Sequence, residues 1–487
     1  MKKIIIDYYK QTQILALTMA VFTFLVMTYA NIFVYNRNIF LVMSAIACLV
    51  SAMFLLALFY KYILFKYISI KLVSGWALFL ILIYAVLVLK MISLEALETN
   101  TFLLVYGFAI SVYLLIRFTF AYLYQPEKLK FDRRYQPTVM FGIPSKNEGE
   151  NIYNTIVKIA ESDYPKEKIE IIAVSDGSTD NTYDEMLRAK LAAEKMGVRV
   201  KVINWEKNRG KREGMGECIR STKQEILVFI DSDSFVEKRT LQELVKFFYF
   251  NKTGAVTGHA YAANSDENAL TKVQDLCYFI SFKVFKSMES VFGSVTCCSG
   301  CCAAYRREYV LPILEEWLDE KFLGTQCTYG DDRSLTNALL KSGYWTLYSP
   351  KAVSYTVVPN NLKVFLKQQL RWKKSWIRTS SKAVTFMWRR NPIMSFQYYL
   401  GIVLTILGPF VVIRAIFVYP FFYHLLPLYY ISGLLLIAAI YSSYYYLQTR
   451  DKKWYYGLIF PFVYMSIMIW QLPYAFLTVK DNKWGTR

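Results

Sequence analysis

Residues 226–235 read ILVFIDSDSF: an apolar run, then Asp231 and Asp233 separated by one serine. In an extended chain, residues two apart project to the same side. Two carboxylates there repel each other unless a cation lies between them. Mg2+ or Mn2+ would suit, because such ions take one or two carboxylates together with substrate phosphate oxygens. A solvated turn after a strand is the plain alternative for this pair taken alone. Other residues that could do chemistry follow the same rhythm. PTVMFGIPSKNE (137–148) runs into Asn147 and Glu148, EIIAVSDGSTDNT (170–182) carries Asp176, and NRGKREGMGE carries Lys211 beside a glycine. Lys211 can neutralise a phosphate, and Asp176 can accept hydrogen bonds from a ribose or a base. FLGTQCTYGDDRSLTN (322–337) puts Asp331, Asp332 and Arg333 at the expected start of a helix, where the helix dipole favours carboxylates. An N-cap cluster is the plain alternative there. FLKQQLRWKKSW (365–376) offers Gln368, Arg371 and Trp372 on a basic, aromatic helix suited to a membrane surface. No G-x-x-x-x-G-K-[ST] or G-x-G-x-x-G pattern occurs, so a P-loop or dinucleotide site is not expected. A metal-bound nucleotide held without a P-loop points to a nucleotide-sugar.

These residues need a scaffold. Apolar strands alternating with helical patterns roughly every 25 to 30 residues indicate parallel βαβ units, whose ligands bind beyond the carboxyl ends of the strands. Asn147, Glu148, Asp176, Lys211, Asp231 and Asp233 all fall at such ends and should share one crevice. This soluble-looking segment, about Gln125 to Arg390, is bracketed by apolar runs. Gln11–Asn36, Asn38–Tyr60, Leu72–Leu89 and Thr99–Ile116 lack charged residues, as do Asn391–Ile413 and Ala415–Thr449. Each is about the length needed to cross a hydrocarbon core of roughly 30 Å. The chain of 487 residues, 55% hydrophobic and 17% aromatic, therefore reads as an integral membrane protein, with no cleavable signal evident. Lys2, Lys3, Lys10, Lys61, Lys66 and Lys71 flank one side of the first spans, which places the N-terminus and the soluble segment in the cytosol. Trp454–Val479 is apolar but interrupted by Pro461 and Pro473, which favours a broken, re-entrant or interfacial segment. The expected division is 1–124 (four spans), 125–362 (soluble domain), 363–390 (interface helices) and 391–487 (two spans, the broken segment and a tail). The formal charge of +20 fits anionic lipid heads and anionic substrates. Nucleic acid is not expected, since outside the membrane-flanking segments no basic stretch is interleaved with stacking aromatics. Cys297, Cys298, Cys301 and Cys302 in TCCSGCC read as small buried thiols near a ligand pocket. A zinc site would want a second pair or histidines at suitable spacing, and the chain holds two histidines, His259 and His424.

Taken together, VSDGS, GKR, DSD, SGCCAAYRR, GDDR and QxxRW, in that order between Pro144 and Trp376, resemble the processive, membrane-embedded family-2 glycosyltransferases. Within that family, GTQCTYGDDRSLTN, KQQLRWKKSW and the terminal KWGTR look most like hyaluronan synthases. VTCCSGCCAAYRRE and TVVPNNL are closer to chitin-oligosaccharide synthases. Hyaluronan synthases usually have proline after SG, and Cys301 stands there instead. The resemblance implies a cytosolic GT-A (Rossmann-like) domain, α/β in class, inserted between N- and C-terminal transmembrane helices of a plasma-membrane protein. It implies UDP-sugars, a growing polysaccharide and membrane lipid as partners, and Mg2+ or Mn2+ as cofactor. Asp176 would contact uridine and Lys211 the diphosphate, with Pro144, Asn147, Glu148 and Arg333 also lining the UDP site. Asp233 would ligate the metal with Asp231 close by, and Asp332 would be the general base. Gln368 and Arg371 would hold the diphosphate, while Cys298, Ser299, Gly300 and Trp372 would form the acceptor pocket. Trp484 and Arg487 would close over the nucleotide. The function implied is an inverting, processive polymerase that secretes its product through its own channel. Arg414 and the tyrosine-rich runs YYLGIVL and YSSYYY are candidates to line that channel. The expected product is hyaluronan, from UDP-GlcNAc and UDP-GlcA. A chitin-type synthase using UDP-GlcNAc alone is the alternative, and a transporter with a regulatory cytosolic domain is a distant one.

Overall fold

The structure, a computed structural model, describes residues 101–482 other than 130, 133 and 425. The three apolar runs expected before Thr99 lie outside the described residues, as do Trp484 and Arg487. The chain divides into two compact units, one of Phe120–Phe396 with Gln471–Arg487, the other of Met1–Thr119 with Gln397–Trp470.

The first unit is built on one eight-stranded sheet. Strands β1 (Val139–Ser145), β2 (Ile169–Asp176), β3 (Arg199–Trp205) and β4 (Ile226–Phe229) run parallel in the order β3-β2-β1-β4. These are the strands expected from the apolar runs. Alternate residues of each strand face opposite layers. Val139, Phe141 and Ile143 of β1 pack with Ile152, Ile156 and Met186 of helices α1 (Glu150–Ala160) and α2 (Thr182–Lys195). Met140 of β1, with Ile172 and Val174 of β2, packs instead on Met215, Cys218 and Ile219 of α3 (Lys211–Arg220). Cover on both faces is why these strands read as nearly continuous apolar runs. The chain leaves β1 toward β2 and β3, then returns to β1's other side as β4, which makes a topological switch point where ligands collect.

Beyond β4 the sheet becomes mixed. β7 (Ala303–Arg306) is antiparallel to both β4 and β6 (Thr253–Ala262). The long β10 (Trp345–Thr356) runs parallel to β6, and β5 (Ser234–Val236) closes that edge antiparallel to β10. A short hairpin, β8 (Lys321–Phe322) and β9 (Thr325–Gln326), stands apart. Because β5 lies at the far edge from β4, the chain must reverse right after β4. Asp231–Ser234 is therefore a turn, with Ser234 N donating to Asp231 O at 3.0 Å. The extended geometry expected for the two aspartates is thus corrected: the turn, not a strand, brings them together. Thr155 of α1 clamps it, its hydroxyl donating to Ser232 O (2.9 Å) and Ser234 O (3.1 Å). Helices α4 (Ala269–Ile280), α5 (Asp331–Lys341), α6 (Leu362–Ala383) and α7 (Gln471–Leu477) complete this unit. Leu472 and Ala475 of α7 pack with Ile377 of α6.

The second unit is helical. Three helices are long and apolar enough to cross a membrane among the described residues: Val105–Lys128, Pro392–Tyr423 and Tyr430–Thr449. The first continues past Arg117, beyond the expected end at Ile116. The second continues through Arg414, past the end of the charge-free run at Ile413. A π-helical turn, Arg414–Val418, absorbs it, and the break falls after Tyr423, where His424 is left-handed (φ 53°) and Pro427 follows. Residues 452–477 are divided among short helical pieces, Lys452–Leu458, Phe460–Val463, Tyr464–Met468 and Gln471–Leu477.

Candidate active site

At the switch point, the loop after β3 turns sharply into α3. Gly210 caps that helix at φ 96°, a conformation open to glycine at little cost. Asp176, the last residue of β2, holds this loop. Its two carboxylate oxygens accept the backbone amides of Arg209 (2.6 Å) and Gly210 (2.9 Å). Lys211 then begins α3 and its ammonium ion-pairs with Asp231. Burial disfavours the Lys211 charge, but Asp231, with Asp331 and Asp332 behind it, more than compensates and holds the ammonium above its ordinary pKa. Asp233 is pushed up to about 6, by burial first and by the charge of Asp231 second.

The SG turn ties this cluster to a second one. Gly300 O accepts from Asp231 N at 3.1 Å, and Gly300 N donates to Asp332 Oδ2 at 3.3 Å. A Cβ on Gly300 would come 3.1 Å from the Asp231 carboxylate, which would have to give by a few tenths of an ångström. Cys297 Sγ also lies 3.5 Å from Asp332 Oδ2, and Cys298 N donates to Thr336 of α5 at 3.0 Å. Burial raises the thiol pKa of Cys297 and Cys298 to about 12 each.

The two aspartates of GDDR separate by function. Asp331 Oδ1 is taken by the buried Arg212 guanidinium at 2.7 Å, which also reaches Glu320 and Trp317 O, each at 2.9 Å. Glu320 binds Ser334 of α5 and Lys382 of α6 as well, so one hub joins α3, α5 and α6. Among the described residues Asp332 makes no such pair. Its Oδ1 accepts from the Arg333 amide (2.7 Å), and its Oδ2 meets only long contacts from the SG turn. Gly330 caps α5 at φ 86°, and a Cβ there would fall 2.0 Å from Ser375 Oγ of α6. That close approach brings QxxRW to the carboxylates. Arg371 is driven below its ordinary pKa by burial, partly offset by Asp231, Asp332 and Asp331. Among the described residues Gln368 Oε1 is buried with no hydrogen-bond partner, and Trp372, 41% exposed, lies 6.4 Å from Tyr278 between ring centroids.

Lys211, Asp231, Asp233, Ser299, Gly300, Asp332 and Arg371 are therefore brought together. Asn147 joins through the loop after β2, its Oδ1 accepting from Thr179 N (2.9 Å). Glu148 lies two residues before α1, its amide donating to Thr182 Oγ1 (2.8 Å) and its side chain buried. Pro144 is buried inside β1, where Gly214 of α3 packs on it, so its side chain serves strand–helix packing. Sequence reasoning missed Arg212, although it stands in the GKR motif, and Glu320, a loop residue with no local signal, and also Tyr278 and Lys286, whose only signal was helical spacing. The donor set fits a divalent cation. Asp231 and Asp233 are hard oxygen ligands that repel each other, and their site leaves the remaining positions to phosphate oxygens and water. Among the described residues no group of three His, Cys, Asp or Glu could hold an ion.

Comparison with known proteins agrees with this geometry. Residues 141–313 match the family model "Glycosyl transferase family 2". A hyaluronan synthase of Streptococcus pyogenes is 30% identical over 389 residues, 79% of this chain and 90% of that protein. An N-acetylglucosaminyltransferase of Azorhizobium caulinodans is 33% identical over 262 residues, 54% of this chain and 65% of that protein. Among solved structures, a mannosyltransferase from Pyrobaculum calidifontis in complex with GDP-Man and Mn2+ shares the fold at TM-score 0.53 and 20% identity. It covers 82% of this chain and 100% of that one.

Proposed function

The chain belongs to glycosyl transferase family 2, and from that premise we propose that it polymerises UDP-sugars into hyaluronan from UDP-GlcNAc and UDP-GlcA. The observation that carries this reading is the juxtaposition of Lys211–Asp231, the SG turn, Asp332 and Arg371 in one crevice. Single displacement with inversion needs one base on the acceptor side and a charged clamp on the leaving diphosphate. Asp332, with Asp331 committed to Arg212, takes the proton of the acceptor hydroxyl as that oxygen bonds to the sugar's C1. The bond from C1 to the diphosphate breaks, and Lys211, Arg371 and Gln368 receive the departing charge. A Mg2+ or Mn2+ ion held by Asp233 and Asp231 would neutralise diphosphate charge. Asp176 and Asn147 line the uridine side, and Trp372 carries the acceptor ring. The tail with Trp484 and Arg487 closes over the nucleotide. Family membership sets the transporter reading aside.

The same reading divides the chain into spans (1–124 and 391–449), a cytosolic catalytic domain (125–362), interface helices (363–390) and a broken segment before a cytosolic tail, in a plasma-membrane protein. The three membrane-length helices support it. Secretion would run through the helical unit. A second reading, a chitin-type synthase using UDP-GlcNAc alone, is favoured by Cys301 after SG and by the similarity to N-acetylglucosaminyltransferases. The deciding experiment is UDP release from purified protein given UDP-GlcNAc, UDP-GlcA or both, with Asp332→Asn as blank. Long polymer only with both sugars supports hyaluronan. Product from UDP-GlcNAc alone, indifferent to UDP-GlcA, overturns it in favour of chitin.

A further inference from the structure

Helix α4 does not stop at Ile280. It widens into a π-helical turn, Ser281–Lys286, before Ser287–Val291, and such turns recur at functional sites. Tyr278, Phe282 and Lys286 recur every fourth residue along it. Tyr278 stacks near Phe282 (6.4 Å) and near Trp372 (6.4 Å). At the other end, Lys286 Nζ lies 3.7 Å from the Phe282 ring centroid and donates a hydrogen bond to Ser299 Oγ of the SG turn. The stripe thus runs from the exposed Trp372 to the residue beside Gly300, along the pocket assigned to the acceptor.

Lys286 is 7% exposed, and among the described residues it makes no ion pair. A hydroxyl and a ring face are thin compensation for burying an ammonium. A lysine kept only to balance the catalytic carboxylates would pair with one, as Lys211 does with Asp231. Burial lowers the Lys286 pKa, opposed by the thiols of Cys297, Cys298 and Cys301 and by Asp332. The site is a cation in want of an anion, next to an aromatic floor on which a sugar ring can lie.

We propose that Lys286, backed by the buried Phe282 ring, is the cationic end of an acceptor cleft formed with Tyr278 and Trp372, and that it binds the carboxylate of a hexuronate at the growing chain's end. This rests on the hyaluronan reading above. The donor diphosphate is assigned to Lys211 and Arg371, which leaves Lys286 to the acceptor through Ser299. A neutral GlcNAc terminus would use the aromatic floor alone.

The test uses full-length protein in detergent, with UDP-GlcNAc as donor to a glucuronate-ended oligosaccharide and UDP-GlcA as donor to a GlcNAc-ended one. Lys286→Met should raise the KM ratio of glucuronate-ended to GlcNAc-ended acceptor about tenfold or more, the loss expected for one charged hydrogen bond. Lys286→Arg should keep most of the selectivity. An equal rise on both acceptors, no rise, or a rise confined to UDP-GlcA as donor would each overturn the proposal. Should Lys286→Met not fold, Lys286→Gln, which retains a donor for Ser299, reads the same ratio. A wild-type enzyme that uses no glucuronate overturns the hyaluronan reading and this role together. One that makes alternating polymer while the variant's ratio stays unchanged overturns the role of Lys286 alone.

Discussion

The adjacent aspartates of GDDR look equivalent on paper and are not so in space. Asp331 is 4% exposed and bound to Arg212, whereas Asp332 faces the SG turn through long contacts. Asp331→Asn breaks a buried ion pair, and such losses cost roughly 3 kcal/mol or more; Glu320 retains the guanidinium, so the low end applies. Thermal unfolding should fall accordingly while residual UDP release persists. Asp332→Asn should do the reverse. Its melting should stay near wild type, with kcat down about 10²–10⁴-fold, the loss typical of removing a general base. Matched melting and UDP-release assays check both, and an active, well-folded Asp332→Asn would remove the assignment of the base. The motif letters could not make this distinction, because what separates the two residues is a partner more than a hundred positions earlier in the chain.

Legibility at the level of elements followed locality. β1 to β4 announce themselves by apolar runs ending in polar turns; Asp176 ends β2 and Asp231 follows β4, whereas Lys211, expected at a strand end, opens α3 after the loop that follows β3. β7, buried in AAYR, and the antiparallel edge strand β5 depend on partners far along the chain, so no local pattern reports them. The turn at Asp231–Ser234 follows from that missing knowledge. α6 was legible as a basic aromatic helix, but its approach to α5 depends on Gly330. Gly330→Ala adds left-handed strain of about 1–2 kcal/mol to a Cβ that meets Ser375 Oγ at 2.0 Å. Turnover should fall at least about tenfold as α6 is pushed away, with part recovered by adding Ser375→Gly. Full activity of Gly330→Ala in a UDP-release assay would show that the approach is dispensable. The same helix carries a pH effect. Burial lowers the Lys373 pKa to about 8, although Lys373 donates to Gln471 Oε1 at 3.0 Å. Below pH 8 both folded and unfolded chains hold this proton, and the folded one bears the full desolvation cost. From about pH 8 toward 10.5 the folded chain sheds it first, so this group's contribution to stability rises with pH. Lys373→Met should flatten that rise and melt higher at pH 7, as melting curves from pH 7 to 10 would reveal.

At the scale of the whole molecule, the last described residues of the chain return to the catalytic unit. Tyr329 Oη donates to Asp481 O (2.9 Å), Thr328 Oγ1 to Asn482 O (2.8 Å), Lys374 Nζ to Asp481 Oδ2 (3.1 Å) and Arg378 to Asn482 Oδ1 (2.9 Å). Thr328 and Tyr329 lie just before Gly330 and GDDR, and Lys374 and Arg378 follow QxxRW. Val479–Asn482 is therefore a strap across both motifs. Arg378, 4% exposed, also satisfies the carbonyl of Val479, so removing the strap leaves a buried guanidinium without its acceptors. Two truncations separate anchoring from closure. Ending the chain after Asn482 keeps every one of these bonds and should leave melting unchanged, while turnover drops and KM for UDP-sugar rises, because Trp484 and Arg487 are gone. Ending it after Thr478 also removes the bonds to Lys374 and Arg378, and melting should fall by several degrees. If the first truncation turns over like wild type, the tail takes no part in holding the nucleotide, and the strap serves stability alone. If both melt alike, the strap is not what fastens α6 to GDDR, and the Gly330–Ser375 approach must carry that contact by itself.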